Sequence, residues 1–266
     1  MQVEERIGFF AKIIKSFTSM SFYRYIKSQP FATGFKYLLL FLLIITVALS
    51  IRFSFIIVNG TNFIADWIST NIPEITIRNG EVSSPVEQPY KKGTNDFVFI
   101  LDTTGQTMSI SPEYRAGILL LKNKIVHKQS EVETREYDLS RTPYFVLNKT
   151  IVDRIKSIFV WITIPLMVVF LYLYYIIAKL FQALLFSLLT LIINAASGLK
   201  IAYSGLLNIG VFNLTLPTLL GAIVDITGLR MPFFWLIYTG VYIVYLVIMT
   251  IGSKDKAEPE LAEIGS

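Results

Sequence analysis

The chain contains no cysteine and a single histidine, His127. No disulfide, thiolate nucleophile or cysteine-ligated metal can therefore form, and one imidazole does not build a zinc site. Charge is scarce as well. Only 16% of the 266 residues are charged, against 53% hydrophobic and 14% aromatic. A soluble domain carries more charge and less apolar content, so the composition points to a membrane protein. Glycine-rich phosphate loops, metal-ligand clusters and haem or flavin signatures are missing, and no cofactor is expected. His127 lies in KIVHKQ with no serine or aspartate at triad spacing. It reads as a solvent-side strand residue, not as a pH sensor or catalytic base.

What the chain does have is long apolar runs and an uneven charge. The net charge is +5. Residues 1–36 hold Arg6, Lys12, Lys15, Arg24, Lys27 and Lys36 against Glu4 and Glu5. Residues 59–155 are near neutral, with eleven basic and twelve acidic residues. The excess is juxtamembrane, which argues for contact with anionic inner-leaflet lipid and against nucleic-acid binding. In residues 1–34, Ile7, Phe10, Ile13, Ile14 and Phe17 recur at helical spacing. This spacing predicts a cytoplasmic amphipathic basic segment lying on the bilayer.

Residues 35–58 are long and apolar enough for a first span, with Arg52 as the charge well inside it. Arg52 is expected to snorkel towards the headgroups. The basic N-terminus sets that end in the cytoplasm, so Asn59 emerges outside. Residues 156–252 are membrane again, read as spans 157–177, 180–197, 205–224 and 231–251. The first two of these have no glycine or proline between them around Lys179. Their combined length barely suffices for two crossings, so a four-span arrangement stays open. The tail, 253–266, is polar and reads as disordered.

Between the spans, residues 59–155 are rich in acids, turn signals and β-formers. Phe63, Ile64, Trp67 and Ile68 predict a short amphipathic helix ended by Pro73. Ile75–Ile77 and Glu81–Ser83 flank Asn79-Gly80, a strong hairpin signal. Further strands are predicted at 97–101, 118–121, 125–127 and 134–139, and a helix at 144–155 leads back to the membrane. The predicted fold class is an α-helical membrane bundle of about five transmembrane helices. A small extracytoplasmic α+β domain, 59–155, is inserted between helices 1 and 2.

Two stretches invite chemistry. FVFILDTTGQT runs an apolar strand into Asp102, followed by Gly105. Pump-type phosphoryl transfer would need a lysine where Thr103 stands, a magnesium site and a nucleotide domain. An aspartic protease would need a second aspartate sharing the proton, which a homodimer would have to supply, and an uninterrupted Asp-Thr-Gly. The residues favour a third reading, in which Asp102 caps a turn and Gly105 supplies positive φ. The second stretch, Asn208 to Thr218, places Asn208, Asn213, Thr215, Pro217 and Thr218 in one intended span. Pro217 kinks the helix, and the amides should face helix partners, with Asn194 and Gln182 as candidates. Interhelical glue is one reading of this polar cluster; a substrate or lipid path is the other. Asp225 is expected to pair with Arg230 across a short loop.

SFYRYIKSQP before the first span, IPEITIRNGEV and FVFILDTTGQ in the outer block, and the late YSGLLNIGVFNLTLPTLL together resemble the bacterial membrane family known as domain of unknown function 1189. A more distant similarity to Yip-type membrane proteins favours about five spans. The resemblance implies multi-pass residence in a bacterial plasma membrane and brings no catalytic residues. The functional expectation is a non-enzymatic membrane protein that senses or scaffolds through a partner or envelope ligand bound at 59–155. A transporter or lipid-handling protein using helix 205–224 is the alternative, and an outward-facing aspartic protease ranks third.

Overall fold

The computed structural model describes residues 7–254. Nearly all of the predicted tail, and residues 1–6, lie outside the described residues. The chain divides into two compact units, Met1–Ser54 with Pro165–Ser266, and Phe55–Ile164. Four helices among the described residues are long and apolar enough to cross a membrane: Phe31–Asn71, Lys149–Ala196, Tyr203–Thr227 and Phe234–Gly252. The sequence reading expected about five.

The difference lies in α4, Lys149–Ala196, which runs for 48 residues where spans 157–177 and 180–197 were expected. Nothing between them breaks a helix, and Lys179 alone does not. Pro165 sits inside α4. It leaves the Trp161 carbonyl without its amide donor, a defect that long apolar helices tolerate. The same continuity appears in α3, Phe31–Asn71, at 41 residues. The helix continues past Asn59, because Gly60 within a helix costs only about 1 kcal/mol. The separate helix expected around Phe63–Ile68 is the C-terminal part of α3. It stops where the Asn71 amide bonds the Trp67 carbonyl at 2.9 Å and Pro73 disfavours helical geometry before it.

The N-terminal segment also differs from expectation. It forms α1, Phe9–Thr18, and α2, Met20–Ile26, which meet at Ser19. Ser19 is extended and its hydroxyl accepts the Phe22 amide at 3.2 Å, capping α2. Phe22, Tyr23 and Ile26 are buried in the core of the bundle, and Ile7, Phe9 and Ile13 pack against it. Only part of the predicted apolar face, Phe10 and Ile14, stays exposed. The surplus of aromatics beyond one narrow stripe accounts for this docking.

The bundle core gathers Tyr37, Phe41 and Leu42 of α3 around α5, Tyr203–Asn213, with Tyr242 and Leu246 of α7, Phe234–Gly252. Every residue of α5 from Gly205 to Asn213 is buried. An all-round buried helix needs no amphipathic stripe, which is why the apolar residues of this stretch show no single face. After Leu214 the chain continues as α6, Thr215–Thr227. The break and Pro217 go together, since Pro217 has no N–H for the Asn213 carbonyl.

The other unit carries two sheets. One has order β2-β1-β8, from β1 Ile75–Arg78, β2 Glu81–Ser83 and β8 Phe145–Leu147. The β1–β2 hairpin turns at Asn79 (φ 54°) and Gly80 (φ 79°), as the Asn-Gly pair predicts. The second has order β3-β4-β5-β6-β7: β3 Tyr90–Gly93, β4 Phe97–Asp102, β5 Ala116–Leu121, β6 Lys124–Lys128, β7 Thr134–Asp138. Only the β4–β5 pair is parallel. In β4, Phe99 and Leu101 enter one apolar cluster while Val98 and Ile100 enter another. Burial on both faces explains its unbroken apolar run. Two strands escaped the sequence reading: β3, with its Lys91-Lys92, and β8, inside the segment read as the start of a helix.

Candidate functional site

Asp102 ends β4 and is fully buried. Its Oδ1 accepts from the Thr104 amide at 2.8 Å, the Thr104 hydroxyl at 2.6 Å and the Gly105 amide at 3.1 Å. The Thr107 amide donates to Oδ2. Gly105 has φ 84° and opens the left-handed corner that lets these amides converge. Burial pushes the Asp102 carboxyl upward, but the Thr104 and Thr107 donors outweigh it and hold the pKa at about 2. Both oxygens that a nucleophile or a proton-sharing dyad would present are engaged by their own loop.

The polar residues of α5 and α6 also turn inward. The Asn208 amide nitrogen donates to the carbonyls of Ile26 (3.3 Å), Gln29 (2.7 Å) and Pro30 (3.3 Å). It therefore fastens the turn after α2 to the central helix, satisfying carbonyls a helix end leaves open. Asn213 donates to the Ile209 carbonyl at 2.9 Å. The Thr215 hydroxyl lies 2.8 Å from the Tyr37 hydroxyl and 2.7 Å from the Phe212 carbonyl. Asn194 stands apart: it exchanges hydrogen bonds with the Ile201 backbone at 3.0 and 3.1 Å, closing the turn before α5. The structure does not bring Asn194 or Gln182 to Asn208 or Asn213 through a hydrogen bond. Pro217 is buried at the start of α6.

A different set of residues forms a cleft of about 320 Å³ in the membrane unit, where α4, α6 and α7 meet. Lys179 of α4 places its Nζ 2.5 Å from the Tyr238 hydroxyl and 3.4 Å from Gln182 Oε1. The Tyr238 hydroxyl donates to Gln182 Oε1 at 3.0 Å. The ammonium also sits 4.5 Å from the centroid of the Tyr238 ring. Among the described residues no carboxylate lies within 4.0 Å of Lys179. Thr218 of α6 lines the cleft at 3% exposure, and its hydroxyl has no hydrogen-bond partner. Asp225, Trp235 and Tyr175 complete the polar and aromatic lining. Among the described residues Asp225 forms no ion pair with Arg230. Its backbone carbonyl instead accepts from Arg52 Nη1, which packs at the left-handed Gly228 that ends α6. Arg52 thus neutralises a helix C-terminus.

Sequence reasoning missed this cleft because its members lie far apart in the chain. Lys179 read as a loop residue between two spans. The available signal was a lysine inside an apolar stretch of helical length, which by itself marks a functional candidate. Among the described residues no group of histidine and acidic side chains is placed to hold a metal ion.

No curated protein and no solved structure matches the chain. A family model does match, over residues 10–250, so that nearly the whole described chain falls within it, including both sheets, three candidate spans and all but the last two residues of the fourth. The chain belongs to the family described as Protein of unknown function (DUF1189).

Proposed function

We propose that this is a non-enzymatic integral protein of a bacterial plasma membrane that senses or scaffolds through its β-bearing unit, held outside the cytoplasm. One observation carries the reading. α3 and α4 each begin in one unit and end in the other, without a break. At 1.5 Å per residue they are about 62 and 72 Å long, while a bilayer core needs only about 30 Å. A ligand or partner that changes how these two rods are held at the β sheets changes what they present to the bundle. The basic N-terminal residues meet anionic inner-leaflet lipid and keep that end inside.

The absence of cysteine makes the orientation directly testable. A single Val132→Cys substitution, at a position 97% exposed, should react with a membrane-impermeant maleimide in intact cells. A single Phe10→Cys should react only after permeabilisation. The reverse pattern would end the proposal. With the orientation established, deleting residues 73–147 should abolish cross-linking to envelope partners while the helices still insert. A deletion that leaves function untouched would move the reading to lipid handling, which the cleft beside Lys179 favours.

A further inference from the structure

We propose that the cleft between α4, α6 and α7 is a binding site for a phosphoethanolamine-type lipid headgroup. The argument begins with Lys179. An ammonium on a membrane-spanning helix is strongly unfavourable unless its charge is met. Here Tyr238 and Gln182 take two of its three donors, both through neutral oxygens. No described carboxylate meets it. The site is therefore electrostatically incomplete, and an anionic oxygen is the group that completes it.

The second observation is independent of charge. Thr218 stands in the wall of the same cleft, and its hydroxyl is buried and unpartnered. In a helix a threonine ordinarily bonds a carbonyl one turn back, as Thr227 bonds Ile223 at 2.8 Å. A buried hydroxyl left without a partner costs free energy. A phosphate oxygen accepting from both Lys179 Nζ and Thr218 Oγ1 removes both deficits at once. Asp225, on the same face two turns along α6, is exposed, and among the described residues its carboxylate forms no ion pair. It supplies the counter-charge for a primary amine attached to that phosphate.

The surroundings indicate a lipid source. Trp235 is 65% exposed at the cleft, an amphipathic ring of the kind found at membrane interfaces. Leu173 and Ile177 on α4 and Leu236 and Ile237 on α7 are exposed along the same helices, and such surface suits acyl chains. Gly221 lines the cleft opposite the Tyr238 ring, which a Cβ there would touch at 3.9 Å.

The test uses full-length protein in nanodiscs containing equal phosphatidylethanolamine and phosphatidylglycerol, with retained lipid identified by native mass spectrometry. Wild type should retain phosphatidylethanolamine in preference. Thr218→Val and Lys179→Met should each lower retention roughly tenfold, the effect of one lost charge-assisted hydrogen bond. Asp225→Asn should keep phospholipid but erase the preference between the two headgroups. Thr218→Val also guards against misfolding: it removes an unsatisfied hydroxyl, so its thermal midpoint in lipid-free detergent should equal or exceed that of wild type. Thr227→Val, outside the cleft, should bind as wild type. If water-soluble glycerophosphoethanolamine displaces the lipid at similar concentration, the headgroup chemistry stands and the physiological ligand is soluble. Retention of phosphate-free diacylglycerol equal to phospholipid, or unchanged retention by both Thr218→Val and Lys179→Met, would overturn the proposal. None of these outcomes bears on which side of the membrane Val132 faces.

Discussion

Gly205→Ala is expected to release the N-terminal helices from the bundle. A Cβ at this position would lie 2.2 Å from the Lys27 carbonyl oxygen, a backbone atom with no rotamer to escape into. Either the turn after α2 or helix α5 must move. α5 is buried on every side, so the turn is the part that yields. Its displacement breaks the hydrogen bonds from Asn208 to Ile26, Gln29 and Pro30 and uncovers Phe22, Tyr23 and Ile26. Overpacking of this kind costs about 3 kcal/mol. Exposure of three large apolar residues then makes trypsin cleavage at Lys27 the sensitive readout. In detergent, Gly205→Ala should be cut there many times faster than wild type, with a lowered thermal midpoint. Gly34→Ala should behave similarly but more mildly. Its Cβ would meet the Asn208 side-chain oxygen at 2.4 Å, and that oxygen belongs to a movable group. On an Asn208→Ala background, which already lacks the bonds to Ile26, Gln29 and Pro30, adding Gly34→Ala should cause little further loss, because the clash partner is gone. Equal protection of Lys27 in wild type and Gly205→Ala would show that the segment is not docked as described.

The docking of the N-terminal segment also marks where local pattern stops being informative. Ile7, Phe10, Ile13, Ile14 and Phe17 fit one helical face, and that much was legible. Which of them meets protein and which stays exposed depends on α5, almost two hundred residues away. The strands followed the same division. β1, β2 and β4 to β7 carry β-branched or apolar alternation, or an unbroken apolar run, and were readable. β3 holds Lys91 and Lys92 and exists through its pairing with β4, where Lys91 stands opposite Ile100. β8 is three residues long and exists because Ile75 to Ile77 offers an open edge. The candidate cleft was the least legible part. Thr218, Lys179 and Tyr238 sit on three helices, and their relation is produced by packing alone. Asn208, Asn213 and Thr215 were conspicuous as polar residues in an apolar stretch, yet they bond backbone and Tyr37 within the bundle.

Asp102→Ala is expected to unfold the crossing between β4 and β5 while leaving the membrane bundle intact. The wild-type carboxylate gathers three backbone amides and the Thr104 hydroxyl. Alanine removes the acceptor these donors share in a part-buried corner, at a cost of about 3 kcal/mol for hydrogen bonds to a charged group. Hydrogen exchange of peptides covering 97–121 should rise by about two orders of magnitude, the equivalent of that loss. Acid provides the complementary test. The folded pKa of about 2 lies below the ordinary carboxylate value. The stabilisation from this group is therefore complete above about pH 4 and is lost as the pH falls through about 2. Asp102→Asn keeps the shape and one acceptor oxygen but cannot titrate. It should be destabilised at neutral pH and should not lose further protection in 97–121 between pH 4 and pH 2, whereas wild type should. A nucleophile or half of a catalytic dyad would give the opposite result: Asp102→Asn would abolish an activity while protection at 97–121 stayed near wild type. Loss of protection without a lost reaction therefore identifies Asp102 as the residue that holds the loop.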